Sequence, residues 1–332
     1  MTSSSIGAAI AGTGSAVPAR VMANSDFEKI LDTSDEWIRS RTGIRERRIC
    51  SPGETTATLG LEASRRALDA AGMKPSDIDL IVCATITPEM FFPSTACFIQ
   101  AGLGCRNIGA FDLMAACSGF VYSLAVGSQF IKTGAYRNVL VVGADTMSRV
   151  VDFQDRSICV LFGDAAGAAV LTADTANPGR GLNYFRMYAD GSQPELMSLA
   201  GGGSRHPASP QMLAEKLQYM RMNGREVYKF ASLRMQELVR DALADNGLTA
   251  DDVALVVPHQ VNRRIIDAAV GHMNFPPEKV YVNLDRYGNT SAASVPLALD
   301  EAVRAGRVKR GDKIVLVAFG GGLTWSSAVV TW

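Results

Sequence analysis

The sequence has no net charge, with 33 Lys and Arg against 33 Asp and Glu. A chain without a basic excess is not built to neutralise phosphates, so nucleic acid is not an expected partner. Cysteine is sparse: six residues, at 50, 83, 97, 105, 117 and 159, with no Cys-x-x-Cys pair among them. Most lie inside apolar runs, which suits reduced thiols in a cytoplasmic protein and argues against a disulfide framework or a metal site. No apolar stretch is long enough to span a bilayer, so no membrane partner is expected. Residues 1–21 have no Lys or Arg before their apolar part and are interrupted by glycine and proline, so a signal peptide is not expected. A dinucleotide fingerprint is also incomplete. Residues 6–10 read as a strand ending in Gly12-Thr13-Gly14, but Val17 stands where the third glycine should be.

What is present is a long chain with internal repetition. At 332 residues a single core is strained, and two domains are expected, at 1–175 and 176–332. Residues 67–82 and 242–257 share one succession: helix end, glycine stop (Gly72, Gly247), acidic turn and buried strand, 175 positions apart. Gly134 before the strand at 139–142 matches Gly306 before 314–317, 172 positions apart. This pattern implies two duplicated α/β halves built on apolar strands. Between them, residues 178–221 are rich in Gly, Ser, Pro and Met, with poor periodicity, as in a lid or binding loop.

Three polar groups stand out against this frame. Cys117 precedes a run of small and apolar residues, 121–131, that reads as a buried helix. A buried thiol is ordinarily inert. At a helix start, however, unpaired N–H groups and the positive dipole end are expected to lower its pKa. The 172-residue offset carries Cys117 to Asn289, in Gly288-Asn289-Thr290-Ser291, so Asn289 is expected to be its pseudo-symmetry mate. His259 follows the buried strand 253–257, at the carboxyl end where α/β sites gather.

The motifs Ala116-Cys117-Ser118-Gly119, His259-Gln260-Val261-Asn262, Gly288-Asn289-Thr290-Ser291 and Phe319-Gly320-Gly321-Gly322-Leu323-Thr324-Trp325 resemble those of the β-ketoacyl-[acyl-carrier-protein] synthase III family. Asp32-Thr33-Ser34-Asp35-Glu36-Trp37 and the segment 41–47 extend the match over essentially the whole chain. The resemblance implies an α/β thiolase-like fold, two pseudo-symmetric halves in a five-layer αβαβα sandwich. It implies a Cys117, His259 and Asn289 triad that primes fatty acid synthesis from an acyl-CoA, with acetyl-CoA the expected primer, and malonyl-[acyl-carrier protein]. The backbone N–H groups of Cys117 and Gly321 would form the oxyanion hole. Thr33, Trp37, Arg41, Arg156, Gly224 and Asn262 would contact CoA, with the adenine between Trp37 and Arg156. Gln260, Val261, Asn262, Arg263 and Arg264 would dock the carrier protein, and an acidic carrier suits the two arginines. Phe92 would enter the acyl pocket of a homodimeric partner, placing the strand 139–142 near the dimer axis. No cofactor is expected beyond the CoA thioester substrate.

Three other readings compete. A synthase-III-like acyltransferase, or a condensing enzyme of secondary metabolism, would use the same triad. A thiolase proper needs a second cysteine near its C-terminus, and the last here is Cys159. A non-catalytic homologue would be expected to have lost a member of the triad.

Overall fold

The computed structural model describes residues 6–273 and 275–332. The first sheet comprises β1 (Gly7–Ala16), β2 (Leu80–Ala84), β3 (Gly109–Leu113), β4 (Asn138–Thr146) and β5 (Asp164–Asp174), in the order β1-β5-β4-β2-β3. The second comprises β6 (Gly181–Ala189), β7 (Val253–Pro258), β8 (Lys313–Gly320) and β9 (Thr324–Thr331), in the order β6-β9-β8-β7. Read from β1 and from β6, the order β6-β9-β8-β7 repeats β1-β5-β4-β2, which is the duplication in structural form; β3 has no counterpart in the second sheet among the described residues. The corresponding pairings of the two halves are parallel then antiparallel: β2 with β4 and β4 with β5, then β7 with β8 and β8 with β9.

Alternation along the strands builds the layers. Val82, Val139 and Val141 of the first sheet, with Leu255, Val257 and Leu316 of the second, face a common centre. Two helices fill it, α3 (Gly119–Lys132) and α6 (Ser294–Arg304), through Phe120, Val121, Leu124, Val295 and Leu299. Ile81, Cys83, Leu140 and Val142 face the other way, onto α1 (Thr56–Ala71) and α2 (Thr95–Leu103). Val315 and Val317 likewise meet α4 (Gly224–Asp245) and α5 (Arg263–Met273). The result is the expected five-layer αβαβα sandwich.

Local signals explain several element ends. Thr55 caps α1 at its start, and Gly72 ends it in the left-handed conformation, φ 64°. The strand at the N-terminus does not stop at Gly12. It runs on to Ala16, and a Cβ at Gly12 would lie 2.6 Å from Ala67 O. These glycines therefore let α1 lie close on the sheet, and no dinucleotide turn forms.

The structure corrects the expected pairing of the two halves at the site. Ala116 and Ser291 both adopt positive φ, 46° and 52°. Each begins a short 3-10 turn, Ala116–Ser118 and Ser291–Ala293, that leads into a central helix. The mate of Cys117 is therefore Ala292, at the 175-residue offset. Asn289 lies three residues earlier, on the extended approach to its turn, where it bridges Phe162. The 172-residue offset belongs to the glycines after the central helices, because α6 is shorter than α3.

Candidate active site

Cys117 sits on the second residue of its 3-10 turn, not inside α3, and is 5% exposed. Its Sγ lies 3.6 Å from Ser291 Oγ, supplied by the matching turn of the other half. The two turns thus meet on the pseudo-symmetry axis. Burial pushes the thiol up to about 12, with the Ser291 hydrogen bond pulling the other way. This reverses the expected lowering: desolvation of a fully enclosed thiolate outweighs what a helix start provides.

His259 follows β7, and its backbone N–H donates to Val317 O at 2.8 Å. The imidazole is buried, edge-on to Phe319 at 5.4 Å. Its Nδ1 lies 2.6 Å from Ser294 Oγ. When that hydroxyl donates, Nδ1 accepts and the ring proton resides on Nε2. Burial pushes the imidazole down to about 3, so it is neutral at physiological pH.

That shift has a stability consequence. An unfolded histidine titrates near 6.5, so between about 6.5 and 3 the unfolded chain binds a proton the folded one refuses. Stability should fall as pH drops through that window. Thermal melting should show a steeper loss from pH 7 to pH 5 in the wild type than in His259→Asn. Parallel curves would remove His259 as the source.

Asn289 is 4% exposed. Its Oδ1 accepts from Ser291 N at 2.9 Å, which identifies the oxygen and leaves Nδ2 to donate. Its backbone N–H donates to Leu161 O, and its carbonyl accepts from Gly163 N. Gly320, ending β8, passes closest to the nucleophile: a Cβ there would fall 2.6 Å from Cys117 N. Gly321 follows against Met197, whose carbonyl would lie 3.2 Å from a Cβ at 321.

A cavity of about 200 Å³ joins this centre to the surface. Cys117, His259 and Asn289 line it together with Trp37, Arg41, Gly224, Val261 and Asn262. Met197 and Met222 also line it, from a small strand pair, Met197–Ser198 with Arg221–Met222; the segment 178–221, expected as a loop throughout, in fact begins with β6. Neither methionine was singled out in the sequence. Ser34 caps the short helix Asp35–Thr42 that carries Trp37 and Arg41. The guanidinium groups of Arg41 and Arg156 stand 4.9 and 5.2 Å from the Trp37 ring centre. Arg156 pairs with Asp32 at 3.7 Å, and Thr33 Oγ1, next to Asp32 in the chain, is buried without a partner among the described residues.

The docking segment divides. Arg263 and Arg264 are exposed at the start of α5, and Asn262 Oδ1 accepts from Arg264 N. Gln260 is fully buried: its Nε2 donates to Pro258 O and Tyr281 O, and its Oε1 accepts from Asn283 N. It braces the turn after β7 and has no surface to offer a carrier. Val261 is half-buried and lines the cavity. Phe92 is 84% exposed and Phe91 81%, both outside the cavity of their own chain.

The sequence profile described as 3-Oxoacyl-[acyl-carrier-protein (ACP)] synthase III matches residues 111–191, and that of its C terminal matches 243–332. Beta-ketoacyl-[acyl-carrier-protein] synthase III of Roseiflexus sp. is 53% identical over 325 residues, 98% of each chain. The protein of that name from Caldanaerobacter subterraneus subsp. tengcongensis is 51% identical over 327 residues, again 98% of each. The crystal structure of 3-oxoacyl-[acyl-carrier-protein] synthase III from Aquifex aeolicus superposes with a TM-score of 0.90 at 48% identity, covering 98% of this chain and 100% of that one.

Proposed function

This chain belongs to the 3-oxoacyl-[acyl-carrier-protein] synthase III family, and we propose that its buried triad condenses an acyl group from acyl-CoA with malonyl-[acyl-carrier protein]. It is an acyltransferase-type condensing enzyme that initiates fatty acid synthesis. The observation that carries the residue assignment is the single cavity joining Trp37 and Arg41 to Cys117, His259 and Asn289. A CoA chain laid along it would deliver its thioester to the nucleophile.

The steps follow from the groups present. Cys117 sulfur attacks the thioester carbonyl, and CoA leaves. The tetrahedral oxygen needs preorganised donors, a role for the backbone N–H groups of Cys117 and Gly321. Malonyl-carrier protein then enters, and its thioester carbonyl faces His259 Nε2–H and Asn289 Nδ2–H. The bond to the carboxylate breaks, carbon dioxide departs, and the electron pair moves into an enolate held by those two neutral donors. The enolate carbon attacks the acyl group on Cys117, and the sulfur leaves. Both donors must stay protonated as charge builds, which a buried neutral imidazole and an amide do.

CoA recognition would use Trp37, Arg41, Gly224 and Asn262 along the cavity. A base inserted between Trp37 and Arg156 needs more room than their present spacing, so Arg156 would swing outward and give up its pairing with Asp32. The carrier protein would meet the exposed Arg263 and Arg264. No cofactor is required for any step, and the cytoplasm is where both substrates would be met. Intact-protein mass spectrometry after exposure to a panel of acyl-CoAs tests the first half-reaction. A covalent acyl group on Cys117 is expected, and its absence with every thioester would overturn the assignment.

The protein should work as a homodimer. Large apolar side chains this exposed usually mark an interface, and Met114, 75% exposed, directly follows the strand at one edge of the first sheet. That edge is β3, whereas β4 lies inside the sheet between β5 and β2, so the expected axis moves from β4 to β3. Obligate dimers commonly bury more than about 2,000 Å². With Phe92 closing the partner's acyl tunnel, Phe92→Ala should shift preference toward longer or branched primers without loss of the dimer. An active monomer in sedimentation at assay concentration would refute the shared site.

A further inference from the structure

The triad leaves the Cys117 proton without an evident acceptor. The thiol is held high and the His259 imidazole is too weak a base to take its proton readily. One buried charge beside the site has no role in the chemistry so far. Asp145, near the end of β4, is fully buried. Its Oδ1 accepts four hydrogen bonds, from Thr85 Oγ1 at 2.9 Å, Ile86 N at 2.8 Å, Thr87 N at 3.1 Å and Thr87 Oγ1 at 2.9 Å. Its Oδ2 accepts from Ala292 N at 3.0 Å. Ser291, the residue before Ala292, is among the groups that favour the ionised carboxylate against its burial, and its hydroxyl lies 3.6 Å from Cys117 Sγ. No lysine or arginine among the described residues pairs with Asp145. Burial without a countercharge raises the proton affinity of this carboxylate, its hydrogen bonds pull the other way, and Oδ2, with fewer donors than Oδ1, is the more basic oxygen.

We propose that Ser291 and Asp145 form a two-step proton relay for Cys117. The S–H proton passes to Ser291 Oγ while the Ser291 hydroxyl proton passes to Asp145 Oδ2. The sulfur lone pair then attacks the thioester carbonyl carbon. When the carbon–sulfur bond to CoA breaks, its electron pair leaves on the CoA sulfur. The proton returns from Asp145 through Ser291 to that sulfur. The enzyme is left as acyl-Cys117 with Asp145 ionised, CoA leaves as the thiol, and no co-reactant is needed. Ser291 touches the reacting sulfur and is a catalytic residue in this scheme. Asp145 acts through it.

The inference rests on acylation at Cys117, so its test reads thiol reactivity separately from CoA chemistry. Alkylation of Cys117 by iodoacetamide, located by peptide mass, and acylation by acetyl-CoA are timed in the wild type, Ser291→Gly and Asp145→Asn. Glycine suits position 291 because φ is 52° there, which glycine adopts without strain. The relay requires both reactions to slow by about 10²-fold in Ser291→Gly, with loss of the solvent deuterium isotope effect on acylation. It requires slowing in Asp145→Asn as well. A carboxylate acting only as a nearby negative charge predicts the opposite sign, because its removal would favour the thiolate. Faster alkylation in Asp145→Asn overturns the relay. So does an unchanged rate or an unchanged isotope effect in Ser291→Gly, which decides the matter if Asp145→Asn fails to fold. A wild type that is alkylated at Cys117 but accepts no acyl group from any acyl-CoA would instead defeat the proposed function.

Discussion

Cys117→Ala should abolish acyl transfer from acyl-CoA while leaving the fold intact. Removing the nucleophile of a covalent mechanism costs on the order of 10⁶ in rate, because no other group can form the intermediate. The other cysteines are poor substitutes: none of them lines the cavity that holds Cys117. The fold should tolerate the change because the molecule already contains it. Ala292 occupies the equivalent place on the matching 3-10 turn, with the preceding residue in the same positive-φ conformation. A small cavity where the sulfur was should cost about 1 kcal/mol, within the ordinary range of single substitutions. The check is intact mass after incubation with acetyl-CoA, beside a melting curve. A variant that still gains a covalent acyl group places the nucleophile elsewhere.

Much of this site can be read from the chain because its parts lie on strong local signals. His259 follows an apolar strand bounded by proline, and the strand runs where expected, Val253–Pro258. The polar break before the apolar run placed Cys117 at a helix approach, and the glycine stops at 72 and 247 exposed the duplication. What escaped depends on contacts across the fold. The offset between halves is not constant, so extrapolating from the glycines after the central helices misassigned the mate of Cys117. Gln260 is adjacent to residues that face the cavity and solvent, yet its amide is spent on Pro258, Tyr281 and Asn283. Asp145 sits in a strand that is otherwise largely apolar, and its bond to Ala292 joins residues 147 positions apart. Helix-end electrostatics suggested a lowered thiol pKa, but the sign depends on enclosure by both halves, which no local pattern carries.

Asn289→Ala should separate the two half-reactions. Acylation uses the Cys117 sulfur, backbone donors and the proposed Ser291–Asp145 relay, and none of these groups is supplied by the Asn289 side chain. Decarboxylation builds negative charge on the malonyl thioester oxygen, where an amide donor at 289 would act together with His259 Nε2–H. Losing one such donor costs about 10²–10³ in rate, equivalent to about 2.7–4 kcal/mol of transition-state stabilisation. The truncation also removes the Oδ1 that accepts from Ser291 N. Asn289→Asp keeps that acceptor while replacing the donor with a negative charge, so it separates support of the turn from stabilisation of the enolate. Both variants should form acyl-Cys117 at a rate near wild type, and the Asp variant should release carbon dioxide at least as slowly as the Ala variant. The measurement is rapid-quench acylation by acetyl-CoA, set beside release of labelled carbon dioxide from malonyl-carrier protein. Equal loss in both half-reactions would mean that Asn289 shapes the pocket as a whole, and the enolate assignment would fail.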